Sequence, residues 1–136
     1  MGTKIFLGFS VALWLPYGVT CIFFPGYLGE VAGVVGSTAT GTTEIRAMYG
    51  GLQAAIGVIC LTALLRPELA LPTLCVLALL TGGLALARGI GLAIDGGATG
   101  YTLGAIGFEI ANTAVATTLL RRRAAERVFE GCSQRP

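Results

Sequence analysis

"LALPTLCVLALLTGGLALARGIGLAI", Leu69–Ile94, holds a single charge, Arg88, near its end. An α-helix crosses the hydrocarbon layer with about 20 predominantly apolar residues. This run exceeds that length, and a chain of 136 residues is one domain at most. A water-soluble domain of that size has no core large enough to hide such a segment, so the stretch reads as a membrane span.

Three further runs read the same way. One covers about 5–24, "IFLGFSVALWLPYGVTCIFF", with Pro16 near its middle. Another covers about 43–65 and a third about 99–120. With the opening run at about 69–94, they predict an all-α integral membrane four-helix bundle over 1–120. A basic cytoplasmic tail over 121–136, "RRRAAERVFEGCSQRP", follows. Apolar residues make up 54% of the chain and charged residues 12%, about half the usual charged share of a soluble domain. The mean hydropathy of +0.81 agrees.

Proline and loop chemistry fit this reading. Pro16 is tolerated inside a span where neighbours satisfy the freed carbonyl. Pro72 falls in a first helical turn, where a missing N–H costs little. Pro67 suits a short turn. The segment 25–42, rich in glycine and threonine, is too short and broken to span. It is expected to lie at the outer interface, anchored by Tyr27. Lys4 before an apolar run resembles a signal peptide. The run continues past Cys21 to Phe24, however, longer than the usual apolar region of such a leader, so a retained helix is expected.

Lysine and arginine placement sets orientation. Lys4, Arg66, Arg121, Arg122, Arg123, Arg127 and Arg135 fall on one side of a four-span chain, and the loops 25–42 and 95–98 hold none. Both termini are therefore expected in the cytoplasm. Three adjacent arginines at the end of a span also attract anionic headgroups, about 1 kcal/mol each.

Composition excludes several chemistries. The chain has no histidine, which removes the usual general base and the commonest zinc ligand. Cys21, Cys60, Cys75 and Cys132 lie far apart and form no CxxC pair, so neither a metal centre nor a dithiol is expected. The net charge of +2 gives no electrostatic footprint for nucleic acid. No cofactor and no catalytic residue is expected.

Glycine is abundant, at 21 residues. Gly50 and Ala54, Gly51 and Ala55, Gly83 and Ala87, Ala87 and Gly91, Gly100 and Gly104, and Gly107 and Ala111 are each four apart. Small residues at that spacing let helix backbones approach closely in lipid. They pack one bundle, or leave a spare face for a homo-oligomer or a membrane partner.

The polar residues inside the spans are the candidate site. On an α-helix, Arg46, Gly50, Gln53 and Gly57 share one face. Arg88 precedes Asp95 by seven residues, roughly 10 Å along the helix. Glu109 lies about ten residues into the fourth span, roughly 15 Å deep, and Asn112 shares its face. Glu44, Arg46, Gln53, Arg88, Glu109 and Asn112 are thus expected in the outer half of the bundle, with Asp95 at the mouth. An unpaired charge at mid-membrane costs about 2.5–3.5 kcal/mol on insertion scales, so pairing is expected, Arg88 with Glu109 first. Arg46, Tyr49, Gln53, Arg88 and Glu109 are the candidate ligand-binding residues. Glu44, Asp95 and Asn112 complete a polar network that is equally able to act as a register device.

The stretch "TEIRAMYGGLQAAIG", Thr43–Gly57, resembles the signature of a family of short bacterial membrane proteins known only as a domain of unknown function, the four-three-four-five type. The resemblance rests on "E-x-R-A-x-Y-G-G-x-Q", here Glu44, Arg46, Ala47, Tyr49, Gly50, Gly51 and Gln53. It also rests on Arg88 in the third span and Glu109 in "GFEIAN". It covers the chain to Leu120 and implies four spans in a bacterial inner membrane, with no assigned activity. Small four-helix membrane proteins similar to it include subunits associated with quinone-linked oxidation.

Two functions are therefore expected. One is a non-enzymatic scaffold, lipid-binding protein or accessory subunit. The other is a small carrier or quinone-linked redox subunit. There Arg46 and Arg88 would clamp an anionic or quinone-like group, Tyr49 and Gln53 would orient it, and Glu109 would balance charge or carry a proton. No inverted repeat supports a standalone transporter, and no ring of like charge supports a channel.

Overall fold

The computed structural model of the chain describes residues 1–133, with side chains through Ala125. Arg127, Cys132 and Arg135 lie outside the described side chains. The described residues are all-α, and four helices are long and apolar enough to cross a membrane: Gly2–Phe23, Ala39–Leu65, Pro67–Asp95 and Gly100–Ala125. They belong to two compact units, Met1–Pro67 and the part beginning at Glu68.

In the first unit, α1 (Gly2–Phe23) carries Pro16 without interruption and ends at Phe24, whose N–H donates to the Thr20 carbonyl. Pro25 then prevents continuation. Two short helices follow, α2 (Tyr27–Ala32) and α3 (Ala39–Ile45). The Thr38 hydroxyl caps α3 by accepting from the Gly41 N–H at 3.0 Å. The segment 25–42 is held by Leu28, which is fully buried with Cys21 and Ile45, while Tyr27 is exposed. Leu28 fixes this segment to its unit, because its apolar side chain gains from entering that core.

Between α3 and α4 (Leu52–Leu65) the chain makes a π-helical turn, Arg46–Gly51. Residues five apart come to the same side there. Ile45 and Gly50 are both buried, followed by Gln53, Gly57 and Cys60. On an α-helix Ile45 and Gly50 would stand about 140° apart at 3.6 residues per turn. The π turn lets Ile45 reach the Cys21–Leu28 cluster while Gly50 faces α1. It also corrects the α-helical reading: Arg46 leaves the buried face and is exposed.

Backbone contact joins α1 to this helix. A Cβ on Gly18 would stand 2.8 Å from the Ala54 Cα and the Gly50 carbonyl oxygen. One on Gly57 would stand 2.7 Å from the Leu15 nitrogen. Gly50 and Ala54 thus serve as the four-residue spacing predicts, with Gly18 as their partner on α1.

A 3-10 turn, Pro67–Leu69, leads into the second unit, which holds α5 (Ala70–Asp95) and α6 (Gly100–Ser133). α6 continues through Leu120 into the arginine-rich stretch without a break. Gly96 closes α5 in the left-handed region at φ 74°, its N–H donating to the Leu92 carbonyl. α5 buries Thr73, Leu74, Leu77 and Thr81, and α6 buries Glu109, Asn112 and Ala116. A Cβ on Gly83, Gly100, Gly104 or Gly107 would meet nothing within 4 Å, so of the two roles expected for such spacings these glycines do not pack α5 against α6. Hydroxyl and ionic side chains join α5 to α6 instead.

Candidate functional site

That polar seam begins at Thr81, seven residues and so two turns before Arg88 on α5. The Thr81 and Thr113 hydroxyls meet at 2.8 Å, and each also bonds its own helix: Thr81 to the Leu77 carbonyl at 2.7 Å, Thr113 to that of Glu109 at 2.8 Å. Further along, Arg88 Nε donates to Glu109 Oε1 at 2.9 Å. Arg88 also lies over the Tyr101 ring, Cζ 5.8 Å from its centroid, a cation–π distance. The guanidinium is part-exposed at 27%, while the carboxylate is 4% exposed.

The pair is one-sided. Glu109 Oε2 is buried without a hydrogen-bond partner. Asn112, one turn on, donates from Nδ2 to the Phe108 carbonyl at 2.9 Å, which leaves its Oδ1 buried and unpartnered. Buried polar atoms without partners cost about 1–3 kcal/mol each.

Arg88 is also a wall of a cleft of about 210 Å³, shared with Gly91, Leu92, Asp95, Gly97 and Thr102. The cleft opens where α5 ends and α6 begins. Asp95, expected within the polar network, lines it.

The first unit places its candidates differently. The Arg46 guanidinium donates through Nη1 to the Ile22 carbonyl, one of the last carbonyls of α1. Such carbonyls lack a partner within their own helix, and a cation favours that negative end. Tyr49 packs against the Cys21, Leu28 and Ile45 cluster. Gln53 is buried, with Oε1 unpartnered. Glu44 is exposed. Arg46 and Tyr49 thus share the π turn and support the end of α1. Arg88, Glu109, Asn112 and Asp95 share the α5–α6 pair.

Sequence reasoning missed Thr81, Thr113, Tyr101 and Thr102. The heptad from Thr81 to Arg88, set against Thr113 four residues after Glu109, carries a legible signal for the first two. Among the described residues, no three side chains of histidine, cysteine, aspartate or glutamate stand together to hold a metal ion.

Residues 2–120 match the model of a family described as "Domain of unknown function (DUF4345)". No curated protein and no solved structure matches the chain.

Proposed function

The chain belongs to that family of unknown function, and we propose that it is a non-enzymatic, multi-pass membrane protein that holds a lipid-class small molecule at the outer end of its α5–α6 pair. The observation that carries this reading is the half-satisfied ion pair. Glu109 is 3% exposed in an apolar helix, gives one oxygen to Arg88 and leaves the other without a donor. A purely structural pair gains most when its remaining lone pairs are satisfied within the protein. Here they are not, and Arg88, which holds the other oxygen, is itself a wall of the cleft. Intramembrane ionisable groups are functional candidates by default.

The positive-inside pattern supports a reading in which the Asp95 end of the pair lies on the outer side of a bacterial inner membrane. The reading drawn from this lining is binding.

The test is native mass spectrometry of the full chain in mild detergent, wild type beside Gly91→Phe. Gly91 lines the cleft, and a Cβ there would meet only Asp95 Oδ2, at 3.9 Å, so a large side chain fills the cleft without a backbone clash. Wild type is expected to retain a small molecule that the folded variant loses. A wild type that carries nothing, or a variant that keeps the same molecule, refutes the reading.

A further inference from the structure

We infer that the arginine-bearing end of α6 holds a site separate from the cleft: a groove along the helix that seats an acyl chain of an anionic phospholipid, with Arg122 at its mouth for the headgroup. Ala114, Val115, Thr118, Leu119 and Arg122 line a groove of about 240 Å³. Steps of four put Ala114, Thr118 and Arg122 in one row along α6, with Val115 and Leu119 in the next. From Ala114 to Arg122 is eight residues, about 12 Å at the helical rise. One leaflet of a hydrocarbon layer of about 30 Å is about 15 Å deep. The groove therefore suits a single chain running inward from a headgroup.

Its floor asks for nothing polar. Ala114 ends at its Cβ, and the Thr118 hydroxyl donates to the Ala114 carbonyl at 2.7 Å, so its one donor is already used. The charge stands at one end alone. Arg121, Arg122 and Arg123 are adjacent, yet they serve different faces of the helix. Arg123 follows the buried Ala116 by seven residues, and so turns toward α5, where it is half-buried. Arg121 and Arg122 are exposed, and among the described residues no carboxylate pairs with either. Of the three, only Arg122 lines the groove. Arginines at the end of a membrane helix attract anionic headgroups, and a planar guanidinium meets two phosphate oxygens at once. The same charges argue against a second copy in the groove. Its α6, inserted in the same orientation, would bring its own Arg121 and Arg122 against these, like charge on like. An anionic lipid brings the countercharge.

The test is a native mass spectrometry titration of the delipidated full chain with phosphatidylglycerol and phosphatidylcholine of identical acyl chains. Phosphatidylglycerol is expected to bind about fivefold more tightly, the share of one arginine at a membrane surface. Arg122→Gln is expected to remove that preference. Arg121→Gln, an equal loss of charge at a neighbouring exposed residue, is expected to keep it. Ala114→Phe fills the floor from an exposed position and is expected to weaken both lipids alike. Gly91→Phe, at the other end of the α5–α6 pair, is expected to change neither, so this inference stands or falls apart from the reading of the cleft. Equal loss in the two arginine variants refutes the groove in favour of diffuse attraction to the whole basic stretch. Absence of the preference in wild type overturns the inference, and so does its loss in Gly91→Phe, which would place the lipid in the cleft. A lipid-free dimer that dissociates in Ala114→Phe overturns it too, and assigns the groove to a second copy.

Discussion

Gly18→Ala adds one methyl group where α1 meets the second membrane helix backbone to backbone. The new carbon would stand 2.8 Å from the Ala54 Cα and the Gly50 carbonyl oxygen. Carbon atoms rest at about 3.5–4.0 Å, so the helices must part by about 0.7–1.2 Å, and backbone has no rotamer with which to evade. Overpacking of this kind costs about 1–3 kcal/mol. Alanine also favours the helix by about 0.5–1 kcal/mol over glycine wherever it stands, so the control is Gly8→Ala, where a Cβ meets nothing within 4 Å. The difference between the two variants isolates the clash at about 1–3 kcal/mol. Gly57→Ala, aimed at Leu15 on the same interface, is expected to cost a similar amount alone. The double variant should cost less than the sum of the two, because the first methyl already separates the helices. The assay is reversible unfolding in mixed detergent micelles followed by far-UV circular dichroism. Equal stability of Gly18→Ala and Gly8→Ala, or strict additivity of Gly18→Ala with Gly57→Ala, refutes the close approach.

Two further perturbations separate the roles of the polar residues. Arg88→Leu alone leaves the buried Glu109 carboxylate without its partner and is expected to cost about 3–5 kcal/mol, and Glu109→Leu, which leaves only the part-exposed guanidinium, is expected to cost less. The double variant should recover much of that loss, and a double-mutant cycle with no coupling would show the pair to be idle. Deleting Met48, an exposed residue of the π turn, shortens the spacing from Ile45 to Gly50 from five residues to four and so converts the turn to α-helix with both still facing inward. Deleting Val58 within α4 instead rotates half the buried face away. The Met48 deletion is therefore expected to keep its helix content and melt well above the Val58 deletion by circular dichroism. Equal loss in both would contradict the role given to the π turn.

How much of this was legible in the sequence differs between the two ends of the problem. The membrane helices are a matter of solvent. In lipid every backbone polar group must be satisfied inside its own segment, so length and apolarity alone identify them. The Arg88–Glu109 pair was legible for a related reason: charges at shared depth in hydrocarbon must find each other. The glycine spacings were only half informative. Gly50 and Ala54 meet Gly18, whereas Gly83 and Gly104 meet nothing, because small residues permit close approach without compelling it. Arg46 was misplaced, since an α-helical wheel puts it beside Gly50.

What the sequence by itself determined is therefore the class of the protein, its apolar helices and the residues too polar to stand alone in them. Those follow from one-dimensional quantities, hydropathy and depth. Only the tertiary structure decided that Arg46–Gly51 winds as a π turn and that Arg46 supports the end of α1. It alone showed that Glu109 and Asn112 each keep an acceptor unfilled, and that Asp95 lines a cleft with Arg88. Each of these depends on what a neighbouring helix presents at a distance of a few ångströms. The π turn exists because Ile45 and Gly50, five residues apart, are both required by α1 and the segment folded over its end, a demand no local preference of the sequence records.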